Sequence, residues 1–196
     1  MKYAVDQTEV VGFAGRAATA VEAASDTPWT ATIGRWWSWI WDVPVDGPQA
    51  TALLRVMAGS VFLWEGVMKF VFANQGVGRF TKLGFPFPGA TADFVAVVEI
   101  VGGVLLIAGL ATRVVAIAFV VEMVVAMLST KISLYLGTSP LPLPPAPPQI
   151  GFWAVLHEVR SEFAQMTVAL FLLLDGPGVL SADARWRRVE RRRAAA

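Results

Sequence analysis

The stretch Leu63-Trp64-Glu65-Gly66-Val67-Met68-Lys69-Phe70 decides how this chain reads. It lies inside a run from Ala50 to Ala73 that is otherwise almost wholly apolar. A run of that length crosses the hydrocarbon core of a bilayer, which takes about 20 residues of helix. Glu65 and Lys69 stand one helical turn apart, so they can pair on one face. Charged groups in lipid are costly and are kept for a partner or a task. Two readings follow, an intramembrane polar site or a buried structural ion pair.

Composition supports the membrane reading. Of 196 residues, 56% are hydrophobic and 16% charged, and the mean hydropathy is +0.58. These values suit a small multi-span membrane protein better than a soluble domain. The absence of cysteine excludes disulfides, thiol relays, iron–sulfur clusters and cysteine zinc sites in this sequence. Acidic residues in MKYAVDQTEVVGFAG interrupt the apolar core that a cleaved leader needs, so none is expected.

Working outward, residues 1–49 read as a cytoplasmic N-terminal extension. Its alanine-rich first part, 1–27, suits either an amphipathic helix or loose chain. Five of the eight tryptophans then fall between positions 29 and 41. Tryptophan favours the headgroup level, so Trp36, Trp37, Trp39 and Trp41 are expected to mark a segment lying along the membrane interface. Packing on a partner protein is the other reading of that cluster.

Residues 50–183 read as an all-α integral membrane domain, a bundle of four transmembrane helices at about 50–73, 91–110, 113–136 and 152–175. The first outer connection, 74–90, reads as a turn-rich loop. The second, Gly137 to Gly151, carries Pro140, Pro142, Pro144, Pro145, Pro147 and Pro148 and is expected to be extended. The fourth span is the least regular, since His157, Glu158, Arg160 and Glu162 precede its apolar part, Phe163 to Leu174. Residues 184–196 form an arginine-rich tail.

Positive charge gives the orientation. The termini and the hairpin at Arg113 carry ten lysines and arginines: Lys2, Arg16, Arg35, Arg113 and six arginines of the tail. The opposite loops carry Arg79 and Lys82. Both termini are therefore expected in the cytoplasm, in the cell membrane of a bacterium or archaeon. The tail reads as an orientation signal and anionic-lipid contact rather than a nucleic-acid site. Arg55, near the inner end of span one, is expected to snorkel toward the headgroups.

Counting 1.5 Å per residue from the cytoplasmic end puts Glu65 and Glu162 at roughly 20 Å, Glu99 at roughly 17 Å and Glu122 at roughly 14 Å. Lys69, Lys131 and His157 come out at roughly 26 Å. Each span thus contributes one acid at middle depth, and three contribute a basic group above it. Acids that share a polar centre hold protons or pair with lysine. That suits quinone or quinol chemistry, which moves protons with electrons. A network that only fixes helix register is the alternative. No Glu-x-x-His repeat of a di-iron bundle occurs, no metal site is expected, and no covalent cofactor motif is present. Gly59, Gly66, Gly102, Gly103 and Gly109 are read as sites of close helix contact.

Several of these motifs resemble the DoxX family of small bacterial and archaeal membrane proteins. They are Leu54-Arg55 through Glu65-Gly66-Val67-Met68-Lys69, then Leu83-Gly84-Phe85-Pro86 leading to Glu99-Ile100-Val101-Gly102-Gly103, and Gly109-Leu110-Ala111-Thr112-Arg113. Glu162 follows, with Asp175-Gly176-Pro177-Gly178-Val179-Leu180-Ser181-Ala182-Asp183 closing the domain. The resemblance implies a four-helix membrane bundle and, for some relatives, a subunit of thiosulfate:quinone oxidoreductase or another quinone-linked complex. Any enzymatic role would then be part of an oxidoreductase with partner subunits. The alternative is a non-catalytic accessory or anchoring subunit of a respiratory complex.

Overall fold

The computed structural model describes residues 28–44 and 46–196. The alanine-rich segment 1–27, and the reading of its start as lacking a leader, lie outside the described residues. The chain divides into two compact units, with the boundary between Asp42 and Val43. All regular structure among the described residues is helical.

In the first unit, α1 (Pro28–Trp41) carries the tryptophan cluster. Trp36, Trp37 and Trp41 are exposed, while Trp39 is half-buried. Two edge-to-face contacts, Trp36–Trp39 and Trp37–Trp41, order the rings along the helix.

The second unit begins with α2 (Thr51–Val71) and α4 (Pro88–Ala108), with the short α3 (Val77–Lys82) between them. Residues 74–90 are therefore not the plain loop expected, because α3 packs on α4 and buries Phe80. Pro88 at the first turn starts α4 three residues before the expected boundary, a place where proline's missing N–H costs nothing. Small residues let α2 and α4 approach backbone to backbone. A Cβ at Gly59 would stand 2.7 Å from the Gly103 carbonyl oxygen, and one at Gly66 would stand 2.7 Å from that of Ala96. Such close approach is how helices associate in lipid, where packing replaces the hydrophobic drive.

A tight hairpin joins α4 to α5 (Thr112–Leu136). Gly109 ends α4 in the left-handed conformation (φ 69°), and the Leu110 N–H returns to the Leu105 carbonyl. Across the bundle centre, Phe62 stacks on Phe119 with ring centroids 3.6 Å apart. Ala58, Leu106, Ala116, Ala169 and Leu172 close the core around them. The outward faces stay apolar, with Leu53, Val67, Phe94, Val101, Val121 and Leu128 exposed. Outward-facing apolar side chains on that scale mark a surface made for lipid.

Among the described residues, three helices, α2, α4 and α5, are long and apolar enough to cross a membrane. The expected fourth span is divided into α6 (Phe152–Glu158) and α7 (Arg160–Asp175). Backbone bonds from Val159 to Val155 and from Phe163 to Val159 carry the chain across the break. At the break, the Arg160 guanidinium donates to the His157 carbonyl oxygen. Packing of α7 on α5 is the second main helix contact of the unit. The tail is also regular: α8 (Ala182–Ala194) starts where the Ser181 hydroxyl accepts from the Ala184 N–H at 3.0 Å.

Candidate functional site

The charged residues gather in the middle of the unit where Gly66 brings α2 against α4. A Cβ at Gly66 would stand 3.0 Å from the Glu99 Cβ, so the glycine lets the two backbones close on that carboxylate. One turn further along α2, Lys69 donates from Nζ to Glu99 Oε2 at 2.5 Å. Glu99 is 3% exposed. The pair expected within α2, Glu65 with Lys69, does not form. Its physical reason is one of scale. An intrahelical pair on a helix surface is worth about 0.2–0.5 kcal/mol. Leaving a buried carboxylate unpaired costs about 3–5 kcal/mol, so Glu99 takes the lysine.

Glu122 comes to the same place from α5. Glu99, Lys69 and Glu65 are the charges that act on its carboxyl. Glu122 Oε2 is buried and has no hydrogen-bond partner. The cluster is thus one lysine and two acids from two further helices. Glu65 is half-buried at its edge, without an ion pair among the described residues.

The single layer inferred by depth counting resolves into separate parts. Lys131 on α5 pairs with Glu162 on α7 at 3.0 Å, joining those two helices. Lys131 is nine residues beyond Glu122, roughly 13 Å along α5. His157 belongs to neither cluster, since its ring is exposed and its Nδ1 sits 3.2 Å from the adjacent Glu158. Depth counting treats side chains as level with their backbones. Lysine's four-carbon stem breaks that rule, reaching back about a turn from Lys69 to Glu99.

A third set of buried charges lies at the hairpin end and was not foreseen. Arg55 is 2% exposed, so it does not snorkel. It donates from Nη2 to the Leu180 carbonyl oxygen at 2.7 Å, with Asp183 as the nearby counter-charge. Asp183 accepts from the Ala111 and Thr112 N–H groups at 2.9 and 3.0 Å, at the start of α5. Its own N–H donates to the Gly109 carbonyl oxygen. Gly109 is required here twice over, by its positive φ and because a Cβ would overlap the Arg55 guanidinium. Arg113 is buried beside this seam and donates to the Leu173 carbonyl oxygen. The signal for the seam lay in the closing Asp175–Asp183 motif, whose polar residues have no other use in a helix-ending turn.

Comparison with known proteins agrees with this architecture. The DoxX family model matches residues 50–132, a range that holds α2 through most of α5 and the whole Lys69–Glu99–Glu122 cluster. The "uncharacterized membrane protein Rv3486" of Mycobacterium tuberculosis is 36% identical over 154 residues, covering 76% of this chain and 88% of that protein. The "putative oxidoreductase CatD" of Bacillus subtilis is 35% identical over 82 residues, which is 42% of this chain and 60% of that protein. No solved structure matches at a significant level. This multi-pass membrane-associated chain belongs to the DoxX family.

Proposed function

We propose that this protein binds a quinone or quinol at the Lys69–Glu99–Glu122 cluster and couples a redox partner to the membrane quinone pool. In this reading the chain has four spans, α6 and α7 together making the fourth. It sits in the bacterial or archaeal cell membrane with both termini cytoplasmic. The observation that carries the reading is the half-buried Glu122, whose Oε2 is buried without a partner, with Glu99 and Lys69 as charges acting on it. A donor and acceptor set of this kind fits ring oxygens that gain and lose protons. A relative whose name calls it a putative oxidoreductase points the same way.

A quinone, when bound, supplies two-electron chemistry with two protons at its ring oxygens. The chain's own groups would do the rest. Lys69 holds the charge of Glu99 and donates to an oxygen placed beside it. Glu122 takes or gives the proton, with Glu65 at the edge of the cluster. The Lys131–Glu162 pair and His157 lie toward the loop end and would exchange protons with water there. No electron carrier is encoded by a motif in this chain, so a partner subunit would bring the electrons.

The test is quinone retention by the purified protein in lipid nanodiscs, compared with Glu99→Gln and Glu122→Gln. At least a tenfold loss in both variants is expected, with folding intact. Equal retention in all three contradicts the reading. A second reading, an accessory subunit that clamps a larger complex, is favoured by the exposed Trp36, Trp37 and Trp41 of α1. Large subunits that still co-purify after both acids are neutralised, but are lost when those tryptophans are changed to alanine, would support it.

A further inference from the structure

A cavity of about 410 Å³ opens at the end of the second unit away from the α4–α5 hairpin. Its walls come from α3, the last turns of α5 and the proline-rich loop. Cavities of a few hundred Å³ commonly hold small ligands. This one is separate from the Lys69–Glu99–Glu122 cluster: Thr130, on its wall, lies eight residues beyond Glu122, roughly 12 Å along α5.

The lining is biased toward positive charge. Arg79, Lys82 and Lys131 face one acid, Glu158. Glu158 is engaged by its neighbour His157, and Lys131 by Glu162. Arg79 and Lys82 form no ion pair or side-chain hydrogen bond among the described residues. Two uncommitted cations from one turn of helix therefore face a polar wall that includes Asn74 and Ser139. A guanidinium fork with an ammonium beside it matches the oxygens of a phosphate group. The position matches too. The cavity follows directly on the end of α2, where Phe70, Val71 and Phe72 are still exposed apolar side chains. That is the level at which hydrocarbon gives way to headgroups.

We infer that this vestibule binds a phosphate-class anion, held by Arg79 and Lys82 with Lys131 behind them. The phosphate can belong to the headgroup of an anionic phospholipid or to a free phosphate. Its volume suits a phosphorylated headgroup better than a bare ion.

Full-length protein in nanodiscs distinguishes the sources. One arm uses discs of phosphatidylcholine with and without phosphatidylglycerol and counts the lipids retained by native mass spectrometry. The other adds inorganic phosphate to phosphatidylcholine discs and reads binding by calorimetry. The variant is Arg79→Gln/Lys82→Gln. The control is Arg191→Gln/Arg192→Gln, which removes the same charge from α8. Retained phosphatidylglycerol that falls at least tenfold in the vestibule variant, but not in the control, supports the headgroup source. Calorimetric binding with the same pattern supports the free anion. Binding of neither, equal binding by wild type and vestibule variant, or an equal loss in the control overturns the inference.

Discussion

Two of the three charge clusters among the described residues are held by different kinds of partner. At the hairpin end, Arg55 and Asp183 bond to backbone: Arg55 Nη2 to the Leu180 carbonyl, with its Nε and Nη1 buried without a partner, and Asp183 to the Ala111 and Thr112 N–H groups. In the middle of the unit, Lys69 and Glu99 pair with each other, and Glu122 lies beside them with its Oε2 buried and unpartnered. The hairpin seam thus ties charged side chains to backbone, and the middle cluster ties them to one another. Carboxyls in contact can pass a proton between them. The difference teaches where to look for chemistry in a small bundle: among charges whose partners are themselves titratable.

The comparison breaks first at Arg55. Changing Arg55→Met removes the counter-charge of Asp183 and the bond to Leu180. A loss of about 3–5 kcal/mol in stability is expected, read as a lower thermal midpoint and poor yield. Asp183→Ala should cost a similar amount, about 3–5 kcal/mol, because it strips the buried Arg55 of its counter-charge and removes the bonds to the start of α5. Gly66→Leu would push α4 away from α2, since the Ala96 oxygen and Ile100 Cγ1 crowd the position at 2.7 and 2.8 Å. Overpacking of that kind costs about 1–3 kcal/mol. It should also separate Lys69 from Glu99 and lose quinone retention.

The comparison sharpens at Glu99. Glu99→Gln leaves Lys69 with Glu122 as its counter-charge, so stability should fall by about 1 kcal/mol, the scale of a single hydrogen bond. Quinone retention should fall tenfold or more, about 1.4 kcal/mol in binding. A thermal midpoint lowered as far as in Arg55→Met would make the cluster a brace like the seam. Smallest of all is Glu65→Gln, expected within about 0.5 kcal/mol of wild type because the residue forms no pair.

Much of this was legible in the residues, and the gaps have physical causes. Apolar length gave the three long helices and the hairpin at Ala111-Thr112, and the glycines marked close helix contact without saying which helices meet. Helical periodicity assigns Lys69 to a face of α2, but it does not say which helix meets that face. Spacing allowed Glu65 as the partner and depth counting placed Glu99 in the same layer; the fold selects Glu99. Arg55 read as snorkelling because a lone arginine near a span end has that option in lipid. Its inward turn depends on a carbonyl at Leu180, 125 positions away. The six-residue α3 was too short to show a period, so Arg79 and Lys82 read as loop charges. Similarly, the division at Val159 leaves no trace of glycine or proline, the usual markers of a break.

In the proposed quinone site, Glu99 and Glu122 share an exchangeable proton that responds to quinone. Infrared difference spectroscopy of the carboxyl C=O stretch, recorded on adding a quinone analogue in H₂O and in D₂O, measures this most directly. The account predicts a deuterium-sensitive carboxyl band that changes on binding, disappears in Glu99→Gln and in Glu122→Gln, and survives in Glu65→Gln. No carboxyl change on binding, or the same band in all four proteins, would contradict it.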